Sequence, residues 1–379
     1  MKPVLLFLFL FTAGRCLAQS TLTGSIQHNG VARSYILYVP ASYQAGTPAP
    51  LILNMHGLGS NAQEQLYYSN FQPIADTAGF LMVYPQGTTE QGMAYWNVGF
   101  GGTADDLGFL DTLITVLESS YTIDAQRVFA TGMSNGGYMS YILASELSNR
   151  IAAIASVTGS MTPDKFAAAA PARAIPVMEI HGTADATVPY TGFEYGVHID
   201  SLVDFWRQNA GCAPTPQTTE LPNTNTLDNS TVTHFVWSGG TAGATVELYR
   251  VTGGGHAWPG NPLGTFGGAN QDFNASAEIW RFFRQFSLGQ STGIQDGMAE
   301  AATPQLFPNP ASGVIHLPAA KAGATIQVYD AAGRMVDQQM LQGNTNVLDI
   351  GKLPAGQYLM QYQSSHGDWR TARFEKQAQ

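Results

Sequence analysis

The chain has 379 residues, 44% hydrophobic and only 12% charged, with a formal net charge of −10. That apolar content supports a sizeable core and excludes wholesale disorder, and the length suits one domain of about 250 residues plus a smaller one. The acidity sits in residues 19–290, where 20 acidic residues face 9 basic ones; such a surface repels phosphate backbones and anionic lipid heads, so nucleic acid is excluded as an expected partner.

In chain order, Lys2 precedes an apolar run at residues 4–13. About ten residues are too few to span a bilayer, which takes roughly 20, but they suit the hydrophobic stretch of a secretory signal. Residues 1–18 therefore read as a signal peptide cut after Ala18. Arg15 stands where a lipidated cysteine at Cys16 would need a small residue, so the mature chain keeps Cys212 alone and no intrachain disulfide is expected. No other apolar stretch reaches spanning length. The expectation is a monomer without a stable membrane span, secreted to the medium or the outer cell surface.

Residues 22–28 and 32–39 alternate like strands around Asn29-Gly30, a strong hairpin signal. Short apolar runs follow at 51–55, 80–84, 127–131, 151–157, 175–180 and 246–251. Between them, residues 105–119 space Leu107, Leu110, Leu113, Ile114 and Leu117 as a helix, and 138–147 and 275–286 read as further helices. Buried strands alternating with helices predict an α/β domain over residues 19–288, with a mostly parallel central sheet covered on both faces. Residues 289–302 are small and polar and read as a linker. Over 303–379 the period changes to two, with strands at 314–317, 325–329, 345–348, 357–362 and 371–374, which predicts a small all-β sandwich.

The chemistry concentrates in three places. Gly132-Met133-Ser134-Asn135-Gly136 fits G-x-S-x-G between a predicted strand and a predicted helix, the sharp turn that exposes a serine hydroxyl; a glycine-rich turn with an incidental serine is the alternative reading. A serine hydroxyl needs a base to take its proton, and the base needs a third group to orient it. Asp185 follows the 175–180 strand in His181-Gly182-Thr183-Ala184-Asp185, and His256 follows the 246–251 strand in a glycine-rich loop. The order Ser, Asp, His is that of an α/β-hydrolase. The remaining histidines fit less well: His28 and His234 lie in strand-like stretches, His198 in a presumed helix, and His316 and His366 in the C-terminal part. His56-Gly57-Leu58-Gly59 ends the 51–55 strand, where a backbone N–H can pair with that of the residue after the nucleophile. Leu58 and Asn135 are therefore the expected oxyanion-hole donors, while His56 and His181 read as groups that orient their loops. No phosphate-binding glycine loop ends in Lys-Ser/Thr and no Cys/His ligands cluster, so no metal or other cofactor is expected.

Taken together, His56-Gly57-Leu58, Trp96-Asn97, and residues 105–109, 132–137, 181–185, 209–212 and 253–260 resemble the polyhydroxybutyrate depolymerase / feruloyl esterase group, secreted relatives of carbohydrate esterase family one. The resemblance covers about residues 21–290. It implies Ser134 as nucleophile, Asp185 as acid, His256 as base, and Trp96 and Trp258 as substrate-side aromatics, with core packing as the competing reading of both tryptophans. Asp106 starts a helix and reads as an N-cap rather than a catalytic group. Leu58 stands where some relatives carry a cysteine, which again leaves Cys212 without an expected partner. At the C-terminus, residues 306–310, 326–330, 332–334 and 353–358 resemble the type A sorting domain of the type IX secretion system. That resemblance implies the type IX machinery as partner and export from a Bacteroidetes-type bacterium; a carbohydrate-binding sandwich is the competing reading. The expected function is a secreted serine esterase acting on feruloyl or acetyl esters of plant polysaccharide, or on polyhydroxyalkanoate-type polyesters. A serine peptidase of the same fold and a non-catalytic surface binding protein are the alternatives.

Overall fold

The computed structural model describes residues 19–90, 92–288, 311–317, 325–330, 335–341, 347–363 and 369–377. The signal peptide and the linker expected from the sequence lie outside them. The chain divides into two compact units, with the boundary between residues 293 and 294.

In the first unit, β1 (Ser20–His28) and β2 (Val31–Val39) form the expected hairpin, with Asn29 and Gly30 both at positive φ in the turn. There follow β3 (Ala49–Met55), α1 (Ala62–Ser69), α2 (Gln72–Ala78), β4 (Leu81–Pro85), the small hairpin of β5 (Thr88–Glu90) and β6 (Met93–Tyr95), and α3 (Asp106–Ser120). Next come β7 (Ile123–Met133), α4 (Asn135–Glu146), β8 (Ala153–Val157), α5 (Pro163–Ala168), β9 (Val177–Gly182) and α6 (Ile199–Ala210). The unit closes with β10 (Gln217–Glu220), β11 (Thr231–Trp237), β12 (Val246–Thr252) and α7 (Ala275–Phe283).

Ten of these strands form one sheet in the order β1-β2-β4-β3-β7-β8-β9-β12-β11-β10. From β4 across to β12 every neighbouring pair is parallel, and both flanks are antiparallel. The strands β3, β4, β8 and β9 are buried along their whole length, as parallel strands under helices on both faces must be. Alternate side chains feed two cores. Leu51, Leu53 and Met55 of β3 pack with residues of α3, α4 and α6, while Ile52 packs with residues of α1, α2 and α7. This is an α/β-hydrolase, with the serine-bearing turn after the central strand β7.

Several boundaries differ from the sequence expectation. β7 starts at Ile123 rather than Arg127; its first four residues, half-buried or exposed, alternate apolar with polar and make no apolar run. His198 is not inside a helix: it caps α6, its Nδ1 accepting from the Asp200 amide at 3.2 Å.

The second unit is all β. β13 (Val314–His316) pairs with β16 (Val347–Asp349), and β14 (Thr325–Asp330), β15 (Met335–Met340), β17 (Gly356–Gln363) and β18 (Trp369–Lys376) form an antiparallel sheet in the order β15-β14-β17-β18. Ile315 and Leu348 of the small sheet share one apolar core with Val328 and Met360 of the larger one. β15 escaped the periodicity reading because its Met335, Val336 and Met340 are exposed.

Candidate active site

Ser134 sits alone between the end of β7 and the start of α4, at φ 56° and ψ −121°. A non-glycine residue there carries roughly 1–3 kcal/mol of strain and persists only where its surroundings dictate it. Here the Ser134 amide donates to the Val157 carbonyl at 2.8 Å, and its carbonyl accepts from the Tyr138 amide at 3.0 Å. The flanking glycines let backbones meet. A Cβ on Gly136 would lie 2.1 Å from the Met55 carbonyl oxygen, and one on Gly132 would lie 2.5 Å from the carbonyl carbon of Gly136.

Asp185 lies in the turn after β9 and is buried. Its Oδ1 accepts the amides of Thr187 and Val188, both at 2.8 Å, and its Oδ2 accepts from His256 Nδ1 at 2.7 Å. Burial opposes ionisation of Asp185, but the hydrogen bond and charge of His256 and the Val188 amide outweigh it and hold the carboxyl below its usual range. With Nδ1 donating to the carboxylate, Nε2 of a neutral His256 is left as an acceptor. Ser134, His256, Gly57 and Leu58 all line one cavity of about 470 Å³. The structure thus gathers four expected residues, Ser134, Asp185, His256 and Leu58, at one end of the sheet.

The loop bearing Leu58 is fixed from below. His56 is buried, and its Nε2 accepts from the Gly87 amide at 3.0 Å, so its proton is on Nδ1, which donates to the Gly57 carbonyl at 2.7 Å. Burial pushes this ring below the usual histidine range, consistent with a neutral, orienting role. Because the peptide is planar and trans, holding the Gly57 carbonyl turns the Leu58 N–H the opposite way. Asn135 opens α4, so its N–H has no acceptor within the helix.

Three expectations need correction. Trp96 and Trp258 do not face substrate; they are 0% and 1% exposed and neither lines the cavity. Each indole N–H finds a buried acceptor, the His56 carbonyl at 2.9 Å for Trp96 and the Ser276 hydroxyl at 3.1 Å for Trp258, so both rings can be buried without stranding a polar group. The Asn135 side chain clamps the Trp96 main chain, accepting from its amide at 2.6 Å and donating to its carbonyl at 3.0 Å. Trp96 therefore ties the serine turn to the His56 loop. Asp106 is not the cap of α3 either: Asp105 is, accepting from the Gly108 amide at 2.9 Å. Asp106 is buried against Arg33 at 2.6 Å and also accepts the Asn97 amide at 2.7 Å, which anchors the Trp96-Asn97 segment.

The aromatic side chains that do line the cavity are Tyr67 and Tyr68 of α1, joined by Met133, Pro262 and the exposed Leu263. Sequence reasoning missed them; the one available signal was a Tyr-Tyr pair in a short stretch with no glycine. Cys212 is buried and unbridged, its Sγ donating to the Ala244 carbonyl at 3.4 Å. Among the described residues no group of three or more His, Cys, Asp or Glu could hold a metal ion, and no helix is long and apolar enough to cross a membrane.

Two family models match the sequence: residues 33–198 match the esterase PHB depolymerase family, and residues 305–373 match the secretion system C-terminal sorting domain. Among curated proteins, the chain is 30% identical over 207 residues to feruloyl esterase C of Emericella nidulans, covering 53% of this chain and 70% of that protein. It is 28% identical over 268 residues to feruloyl esterase B of Piromyces equi, covering 68% of this chain and 46% of the relative. It is also 28% identical over 238 residues to a bifunctional acetylxylan esterase/xylanase of Neocallimastix patriciarum, covering 62% of this chain. The match spans only 33% of that bifunctional relative. Among solved structures, an acetyl xylan esterase from Aspergillus awamori aligns at 18% identity with a TM-score of 0.48, covering 62% of this chain and 94% of that one.

Proposed function

The chain belongs to the esterase PHB depolymerase family, together with fungal feruloyl esterases, and from that premise we propose that it is a serine esterase hydrolysing feruloyl or acetyl esters of plant polysaccharide, or polyhydroxyalkanoate-type polyesters. One observation carries the serine mechanism: Asp185 holds His256 Nδ1 at 2.7 Å, and His256 and the strained Ser134 line the same cavity. Ser134 Oγ attacks the ester carbonyl while His256 Nε2 takes its proton, and Asp185 stabilises the imidazolium that forms. The amides of Leu58 and Asn135 receive the charge that develops on the carbonyl oxygen. His256 returns its proton to the leaving alcohol, and water activated by the same ring then hydrolyses the acyl-enzyme. Tyr67, Tyr68, Leu58 and Leu263 give the cavity an apolar wall suited to an aryl or alkyl group.

The substrate class is tested by assaying methyl ferulate, acetylated xylan, short polyhydroxybutyrate and a peptide amide side by side. We expect turnover of at least one ester to exceed that of the amide by orders of magnitude. Amide cleavage at a comparable rate would favour a peptidase, and no turnover of any of them would favour a binding protein.

Residues 305–373 form a secretion sorting domain, and the protein is extracellular or bound at the cell surface. Residues 303–379 should therefore be dispensable for catalysis and required for delivery through a type IX machinery. Every residue of the proposed site lies in the first unit, which builds its own two cores, so residues 19–290 expressed alone should keep kcat/KM on a soluble ester within about twofold. In a type IX host, deleting 303–379 should leave the esterase in the periplasm. Export without those residues would refute the sorting role. Loss of activity on insoluble polymer alone would point instead to carbohydrate binding.

A further inference from the structure

On β9, beneath the proposed site, Glu179 and His181 are both 0% exposed. His181 Nε2 lies 2.8 Å from the Val188 carbonyl oxygen, which can only accept, so Nε2 carries a proton. Its Nδ1 lies 2.8 Å from Glu179 Oε1, and Glu179 Oε2 accepts from the Tyr141 hydroxyl at 2.7 Å. With a donor on each oxygen the carboxylate is satisfied as an anion, and His181 is protonated on both nitrogens. Burial alone would push the His181 ring down, but the Glu179 hydrogen bond and charge outweigh it and raise it above the usual histidine range. Burial pushes Glu179 upward as well, so the pair holds on to its shared proton.

The same Nε2 lies 3.5 Å from Asp185 Oδ2, the oxygen that accepts from His256 Nδ1. That carboxylate oxygen therefore lies between two imidazole rings, one in the cavity wall and one in the core. We propose that Glu179 and His181 are positioning residues that set the acid limit of activity, His181 acting through Asp185 on His256. A fixed cation beside Asp185 offsets part of the negative potential at the oxygen that holds His256 Nδ1, so the acid limb of activity lies lower than it would without that cation. Glu179 lies across the ring from Asp185 and cancels only part of this effect.

Other ionisable groups surround the ring. Arg250 of β12 is in register with His181 and has its guanidinium over the Phe235 ring. Tyr190 meets the ring edge-on at 5.8 Å and donates to Asp200, while on α4 Tyr141 donates to Glu179 and Tyr138 lies near Glu179 and Asp185. Burial raises all three tyrosines, which stay neutral across the working range. Only the Glu179–His181 pair can lose its charge separation by a single substitution next to Asp185.

The proposal rests on the triad reading, and the experiment separates the two. In the full mature chain, kcat/KM on a soluble ester is measured against pH for wild type, His181→Gln, Glu179→Gln and Ser134→Ala. Both glutamine variants should move the acid limb upward by about 0.5 pH unit or more, whatever happens to the plateau. A merely structural pair would lower the plateau or the thermal midpoint and leave the limb in place, and that result overturns the proposal while a dead Ser134→Ala keeps the triad. Activity surviving in Ser134→Ala would remove the triad reading and this proposal with it. If the glutamine variants do not fold, nitrogen NMR of histidine-labelled wild type decides: one of the eight histidines should keep both ring protons to higher pH than the other seven. A set of eight rings in which none outlasts the others in its second proton would overturn the proposal.

Discussion

Ser134→Ala should lower kcat/KM on a soluble ester by roughly four orders of magnitude or more while leaving the circular dichroism unchanged. The loss is that large because on the proposed mechanism the hydroxyl forms the covalent intermediate, and Ser60, the other serine on the cavity wall, donates to Glu64 instead. His256→Ala should have a similar effect, since without a base the hydroxyl remains a weak nucleophile. The double variant should be scarcely worse than either single one, because the two groups act as a unit. Near-normal activity in either variant, with native circular dichroism, would refute the assignment of the nucleophile or of the base.

Gly136→Ala should unfold the protein more readily than any other small-to-methyl change at this site. The new methyl would lie 2.1 Å from the Met55 carbonyl oxygen, 2.6 Å from its carbonyl carbon and 2.8 Å from the His56 carbonyl oxygen. All three are main-chain atoms at the end of β3, so relief requires moving the strand or α4, and with them the His56–Leu58 loop. The expected destabilisation is about 3 kcal/mol or more, a large part of a typical domain's stability of roughly 5–15 kcal/mol. Gly59→Ala is the control. It sits at φ 76° with nothing within 4 Å of the added carbon and should cost only about 1–2 kcal/mol of backbone strain. Equal urea midpoints for the two variants would show that close packing is not what requires glycine at 136.

Much of the proposed site was legible in the sequence because each part is a local pattern. A strand–turn–helix with glycines at both ends of Ser134 needs no distant information, and neither does a histidine or an aspartate directly after an apolar strand. The alternation of buried strands with helices gave the layered sheet for the same reason. What could not be read depends on which surfaces meet. Trp96 and Trp258 stand beside the motifs, but their burial is decided by acceptors as far away in sequence as His56 and Ser276. Asp105 and Asp106 are chemically alike and adjacent; only the approach of Arg33 from β2 separates a cap from a buried ion pair. Tyr67 and Tyr68 became cavity wall through the placing of α1, which has no strong periodic signature. Glu179 interrupts an apolar run, and only the Tyr141 and His181 contacts give it a reason to be there.

The position of β12 has a consequence for when the protein becomes active. β9 and β12 lie side by side in the sheet, but the chain runs through α6, β10 and β11 between them, and Asp185 and His256 are 71 residues apart. Closing so long a loop is slow compared with forming local turns, so the serine turn can assemble well before its base arrives. On the proposed mechanism, a chain that stops short of β12, or has not yet docked it, presents Ser134 without its base and should show no hydrolysis. The proposed triad therefore carries latency in its connectivity, and turnover during refolding should first appear when β12 docks on β9.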